Sequence, residues 1–132
     1  MIDVTIIILT KNEEKNLPDC LSSVKDFAKR IVVVDSGSTD TTCEIASKFG
    51  ADLLIHNFEN YAKQFNWALD NSNITTKWTF RLDADERLTP KLCEELEKIT
   101  SIHENDDING VTMEAWLYFL GKKIKYGCHN KR

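Results

Sequence analysis

The sequence predicts an α/β domain built on a mostly parallel sheet. Three observations predict it. Short runs rich in β-branched residues, such as Val4-Thr5-Ile6-Ile7-Ile8-Leu9, are apolar without a break, as suits strands buried on both faces. These runs alternate with segments whose apolar residues recur at helical spacing. Polar clusters then stand directly after the strands, where open α/β sheets bind their ligands.

The elements follow in order. After the first strand, Leu17, Cys20, Leu21, Val24 and Phe27 recur at helical spacing, with Pro18 tolerated in a first turn. Ile31-Val32-Val33-Val34 is a second buried strand. The turn from Asp35 to Asp40 opens a helix carrying Cys43, Ile45, Ala46 and Phe49. Thr41 and Glu44 have capping-box spacing, and Gly50 is placed to end that helix. Leu53-Leu54-Ile55 is a third strand, Tyr61 to Leu69 a helix, and Trp78 to Leu82 a fourth strand. Thr89-Pro90 starts a helix with Leu92, Cys93, Leu96 and Ile99 on its apolar face. Val111 to Phe119 reads as a fifth strand, turned at Gly121-Lys122 into a hairpin partner around Ile124.

Composition narrows the function. The chain has 132 residues, 42% hydrophobic, enough for one domain with one core. A net charge of −4 argues against nucleic acid, which calls for a basic stripe. No stretch approaches the roughly 20 apolar residues that span a bilayer. No charged leader precedes an apolar run, so a cytoplasmic protein is expected. The four cysteines form no C-x-x-C pair. Cys20, Cys43 and Cys93 fall in apolar-periodic segments, as buried thiols of a reducing compartment do. Lys122, Lys123, Lys125, Lys131 and Arg132 make a late basic run, either a solvated hairpin or a peripheral contact with anionic lipid at the inner face of a membrane.

Three clusters are expected to line one crevice. Asp83-Ala84-Asp85 follows the fourth strand. One carboxylate is expected to reach a divalent cation and the other the sugar, the ribose or a neighbouring side chain. Mg²⁺ or Mn²⁺ commonly takes one or two carboxylates and completes its shell with phosphate and water. The bland alternative is an acidic turn before a helix. Asp35, ending a Val-rich strand, can accept hydrogen bonds from a ribose hydroxyl or a base N–H. Ser36, Gly37 and Ser38 offer backbone N–H groups to an anion, or simply make a turn. Thr10-Lys11-Asn12-Glu13 is a polar strand-to-helix loop in which Asn12 or the nearby Asn16 can cap the helix. It contains neither G-x-G-x-x-G nor a P-loop, which disfavours Asp35 as a reader of NAD ribose.

Taken in this order, Ile8-Leu9-Thr10-Lys11-Asn12-Glu13, Val33-Val34-Asp35-Ser36-Gly37-Ser38-Thr39-Asp40 and Arg81-Leu82-Asp83-Ala84-Asp85-Glu86 resemble glycosyltransferase family 2. The segment Lys63-Gln64-Phe65-Asn66-Trp67-Ala68-Leu69 is similar to the family's helix before the metal-binding strand. The likeness is greatest to bacterial enzymes that glucosylate the lipopolysaccharide core or related glycans. The resemblance covers about the first 90 residues.

The resemblance implies a GT-A fold, a three-layer α/β/α domain. It implies a nucleotide-diphosphate sugar donor, most often UDP-linked, a glycan or lipid-linked acceptor, and metal-dependent transfer with inversion. Carried onto this chain, Thr10, Lys11, Asn12, Glu13, Ser36, Gly37 and Ala84 lie beside the nucleotide. Asp35 meets the base, Asp83 faces ribose or sugar and assists the metal, and Asp85 ligates the metal. Phe65 stands where the family often carries Arg toward the diphosphate, leaving Lys63 or Lys11 to supply charge.

Such enzymes continue well past the D-x-D strand, so the resemblance implies a chain short of its acceptor-binding part. Inversion needs a base opposite the leaving group. Glu114 is the one carboxylate after the fifth strand begins, and exposure on a strand is its simpler explanation. A nucleotide-sugar-binding module without catalysis is the alternative function. A phosphatase of the D-x-D-x-[TV] type is disfavoured by Arg87, and a sugar nucleotidylyltransferase by the lack of a Gly-rich loop. A face of Trp116, Leu117, Tyr118 and Phe119 is suited to form a homodimer.

Overall fold

The computed structural model describes residues 1–102 and 104, together with the backbone of 118, 119, 122 and 123. The chain divides into a unit Met1–Ile102 and a unit 103–132. The first alternates strictly: β1 (Ile2–Thr10), α1 (Leu17–Val24), β2 (Ala28–Asp35), α2 (Thr42–Lys48), β3 (Asp52–Ile55), α3 (Tyr61–Asn71), β4 (Trp78–Asp83) and α4 (Pro90–Ile102).

The strands lie in the order β3-β2-β1-β4, and every pairing is parallel. The chain steps outward from β1 to β3, then returns to pair β4 on the free side of β1. That reversal makes the β1/β4 junction a topological switch point, with a crevice at its carboxyl end. Right-handed crossovers put α1 and α2 on one face and α3 on the other. Accordingly, α1 contacts α2, while α3 packs on β1.

The strand side chains divide the same way. Ile7, Val32 and Val34 form a core with Ala68, joined by Leu9, Leu54, Phe65, Trp67, Leu69 and Ile74. The alternate residues Ile6, Ile8 and Val33 are fully buried, as are Leu17, Cys20, Leu21 and Val24 of α1. Both faces of β1 and β2 are therefore covered, which explains their unbroken apolar runs.

Boundaries shift where charged residues enter strands. β2 begins at Ala28, ahead of the expected Ile31, because Lys29 and Arg30 extend their heads to carboxylates: Lys29 Nζ to Asp3 at 3.1 Å and Arg30 Nε to Asp52 at 2.7 Å. Phe27 lies past the end of α1, buried in the turn that leads to β2. The Thr41–Glu44 capping box does not form. Thr41 Oγ1 donates to Glu14 Oε2, and Asp40 Oδ1 accepts the Thr42 N–H at 2.9 Å. Gly50 closes α2 with φ 77°, and Thr89 Oγ1 accepts the Leu92 N–H at 3.2 Å at the start of α4.

In the second unit, β5 (Tyr118–Phe119) pairs antiparallel with β6 (Lys122–Lys123); Lys122, expected in the turn, lies in the strand, and Ile124, expected at the partner's centre, lies outside the described residues. The rest of the expected fifth strand, including Glu114, Trp116 and Leu117, lies outside the described residues, as do Lys125, Lys131 and Arg132. Among the described residues, no helix is long and apolar enough to cross a membrane.

Candidate functional site at the carboxyl edge of the sheet

Register brings the three polar clusters to one edge. Thr10 pairs with Asp35, and Leu9 pairs with Asp83. β1 is the middle strand of this trio, so its loop lies between the other two.

Asp35 organises the β2 loop from inside. It is fully buried. Its Oδ1 accepts from Thr10 Oγ1 at 2.8 Å and Ser38 Oγ at 2.5 Å, and its Oδ2 from the N–H groups of Gly37 at 2.9 Å and Ser38 at 2.7 Å. A carboxylate has about four acceptor positions, so these four donors use its capacity. Burial pushes its pKa up, but the hydrogen bonds from Ser38, Thr10 and Gly37 outweigh burial and hold it below the ordinary carboxylate value. The resemblance implies a base contact for Asp35; in the structure its carboxylate joins the end of β1 to its own loop. Burial, then the nearby Asp35 carboxylate, raises the pKa of the half-buried Cys43 thiol.

The β1 and β2 loops are stitched together. Asn12, at φ 53°, donates its N–H to Ser38 Oγ at 2.7 Å, while its Oδ1 accepts the Thr39 N–H at 2.8 Å. Ser38 thus receives from Asn12 and donates to Asp35. Glu13 donates its N–H to Thr42 Oγ1 at 2.9 Å, and its carboxylate accepts from Asn16 Nδ2 at 3.0 Å. Lys11 Nζ donates to the carbonyls of Gly37 at 2.6 Å and Ser36 at 3.4 Å. Gly37 sits at φ 94°, a conformation glycine adopts without strain. Neither Asn12 nor Asn16 caps α1 through its side chain; Asn12 joins two loops instead.

The third cluster breaks from the strand at once. β4 ends at Asp83, whose carbonyl accepts the Glu86 N–H at 2.9 Å. The direction of Asp85 is thus set by this turn and not by strand alternation. Ala84 is buried, Asp83 is half-buried and Asp85 is exposed. Asp85 makes no hydrogen bond or ion pair among the described residues, whereas Arg81 lies 3.5 Å from Asp83 Oδ1. Cys20, buried beneath, has its pKa pushed up to about 12 by burial first, then by the charges of Glu86, Asp85 and Asp83. It is an inert core thiol.

No group of three or more His, Cys, Asp or Glu that could hold a metal occurs among the described residues. What the edge offers is a pair of carboxylates, one of them uncommitted. That donor set fits a hard divalent cation that takes its remaining oxygens from phosphate and water.

On the α3 side, Lys63 is exposed and ion-paired with Glu59. Phe65 packs into the core. Arg81 is not among the residues expected at the site from sequence. Its guanidinium lies 5.7 Å from the Tyr61 ring centroid and 5.9 Å from that of Phe65. Its Nε is buried without a hydrogen-bond partner among the described residues. The available signal was a lone cation inside an apolar strand, two residues before Asp83.

Comparison with known proteins points to one family. The description Glycosyl transferase family 2 matches residues 5–119. An uncharacterized glycosyltransferase of Rickettsia conorii is 37% identical over 103 residues, covering 78% of this chain and 36% of the relative. The lipopolysaccharide core biosynthesis glycosyltransferase LpsC of Rhizobium meliloti is 32% identical over 123 residues, 89% of this chain and 44% of the relative. The chain therefore spans less than half the length of these relatives. Among solved structures, S. aureus TarS 1-349 in complex with UDP superimposes with a TM-score of 0.60 at 24% identity, over 79% of this chain and 33% of that one. Glucosyl-3-phosphoglycerate synthase of Mycobacterium tuberculosis, in complex with Mn²⁺, UDP and glucosyl-3-phosphoglycerate, gives 0.58 at 14% identity, over 79% of this chain and 40% of that one.

Proposed function

This chain belongs to glycosyltransferase family 2, and from that premise we propose that it takes a sugar from a nucleotide-diphosphate donor, UDP-linked, for transfer to a glycan or lipid-linked acceptor. The observation that carries the proposal is the convergence of three strand ends at one edge of the sheet, with Asp85 exposed after β4 and the β1 and β2 loops joined through buried Asp35. Open α/β sheets bind ligands at such a crevice, which supports a donor there. The UDP and Mn²⁺ complexes of the structural neighbours support a nucleotide and a cation there.

In this reading, Thr10, Lys11, Asn12, Glu13, Ser36 and Gly37 form the nucleotide wall. Asp35 and Thr10 act by holding its shape, and Lys11 by closing the Ser36–Gly37 turn. Asp85, assisted by Asp83, would hold Mn²⁺ or Mg²⁺, which when bound neutralises the diphosphate leaving group. The acceptor hydroxyl attacks opposite the diphosphate, so the sugar inverts. That attack needs a base, and the candidate read from sequence, Glu114, lies outside the described residues.

The test is thermal stability with UDP, GDP, dTDP and CDP, each with Mn²⁺ or EDTA. A ligand at 100 times its dissociation constant adds about 2.7 kcal/mol. Stabilisation by UDP that EDTA removes is expected. No shift with any of the four would overturn the proposed donor site.

A further inference from the structure

Arg81 is a charged side chain with a buried donor that no partner among the described residues satisfies. It occupies the register position opposite Ile7 on β1, on the face covered by α3, one step back from Asp83. A buried donor on a charged group is costly to leave unpaired, yet its Nε has no partner among the described residues. Its contact with Asp83, at 3.5 Å, is an ion pair longer than a good charge-assisted hydrogen bond. Tyr61 and Phe65 hold the guanidinium by their ring faces, which orients the group without using its N–H donors.

Neighbouring cations are committed elsewhere. Lys11 donates to the Gly37 and Ser36 carbonyls, Lys63 pairs with Glu59, and Arg87 pairs with Asp19 at 2.8 Å. The edge itself carries the carboxylates of Asp83, Asp85 and Glu86 in the turn that follows β4. A donor diphosphate brings further negative charge, more than one divalent cation neutralises. A guanidinium with unused donors, 36% exposed and already aimed at this edge, supplies the missing charge in a fork that matches phosphate oxygens.

We propose that Arg81 is a diphosphate-binding residue of the donor site, held by Tyr61 and Phe65 and exchanging Asp83 for phosphate oxygens when the donor enters. This rests on the donor-site reading above. It assigns the charge to β4 and not to Lys63 or Lys11.

The experiment compares UDP with uridine, which keeps base and ribose but has no phosphate. Affinities are measured by titration with Mn²⁺ for the unaltered chain, Arg81→Met and Arg81→Lys, with circular dichroism as a check of folding. Arg81→Met is expected to lose roughly tenfold in UDP affinity while uridine affinity stays unchanged, and Arg81→Lys to lose less. Equal UDP affinity in the unaltered chain and Arg81→Met overturns the proposal. So does an equal loss for UDP and uridine, the signature of a merely structural arginine. Should Arg81→Met not fold, Arg81→Lys decides: a reduced UDP-over-uridine preference supports the proposal and an unchanged preference overturns it. An unaltered chain that binds neither ligand overturns the donor-site reading itself.

Discussion

Thr10 and Asp35 are register partners at the carboxyl ends of adjacent strands, and the Thr10 hydroxyl donates to the buried Asp35 carboxylate over 2.8 Å. The bond fastens the two loops that flank the crevice where they leave the sheet. Other bonds then extend from it, through Ser38 to Asn12 and through Lys11 to Gly37.

Thr10→Val keeps the shape of the side chain and removes the donor. It leaves one acceptor site of a buried carboxylate unfilled, which costs about 1–3 kcal/mol. Urea unfolding is expected to show a lower midpoint with an unchanged slope. An unchanged midpoint would mean that the Ser38 and Gly37 bonds suffice without it.

The pH dependence of stability follows from Asp35. Its pKa in the folded chain is below the ordinary value of 3.8. The unfolded chain therefore binds the proton more readily, and folding gains stability above that ordinary value. The gain disappears as pH falls through the lower folded value. Asp35→Asn is expected to be less stable at neutral pH and to lose less stability between about pH 5 and pH 2. Parallel acid limbs for the two proteins would remove Asp35 from the account.

Asp85→Asn separates binding from folding. Asp85 is exposed and has no hydrogen bond or ion pair among the described residues. Its replacement is expected to change unfolding free energy by less than about 0.5 kcal/mol. The same variant is expected to lose the Mn²⁺-dependent part of UDP binding. Retained metal dependence would transfer that role away from Asp85.

Arg30 joins three elements at the opposite end of the sheet. It pairs with Asp52 at 2.7 Å and donates to the carbonyls of Ser72 and Asn73 after α3. A cation there satisfies carbonyls at the negative end of the helix dipole. Arg30→Ala is expected to lower stability by about 1 kcal/mol, a figure kept small because the pair is partly exposed. Nucleotide binding at the far edge should not change. Thermal unfolding with and without UDP checks both statements.

The features legible along the chain are local. Unbroken β-branched runs mark strands covered on both faces, and helical spacing marks the segments that cover them. The ordered clusters after β1, β2 and β4 mark the family. Tertiary structure decided what depends on partners distant in the chain. Placing β4 beside β1 and not beside β3 created the switch point. The Thr10–Asp35 register made the Asp35 carboxylate the anchor between two loops. The turn after Asp83 left Asp85 exposed, and packing against Tyr61 and Phe65 gave Arg81 its direction. The physical reason is that apolar periodicity reports which face of an element is buried, whereas a hydrogen-bond partner or an ion pair is chosen only after strands are ordered and registered.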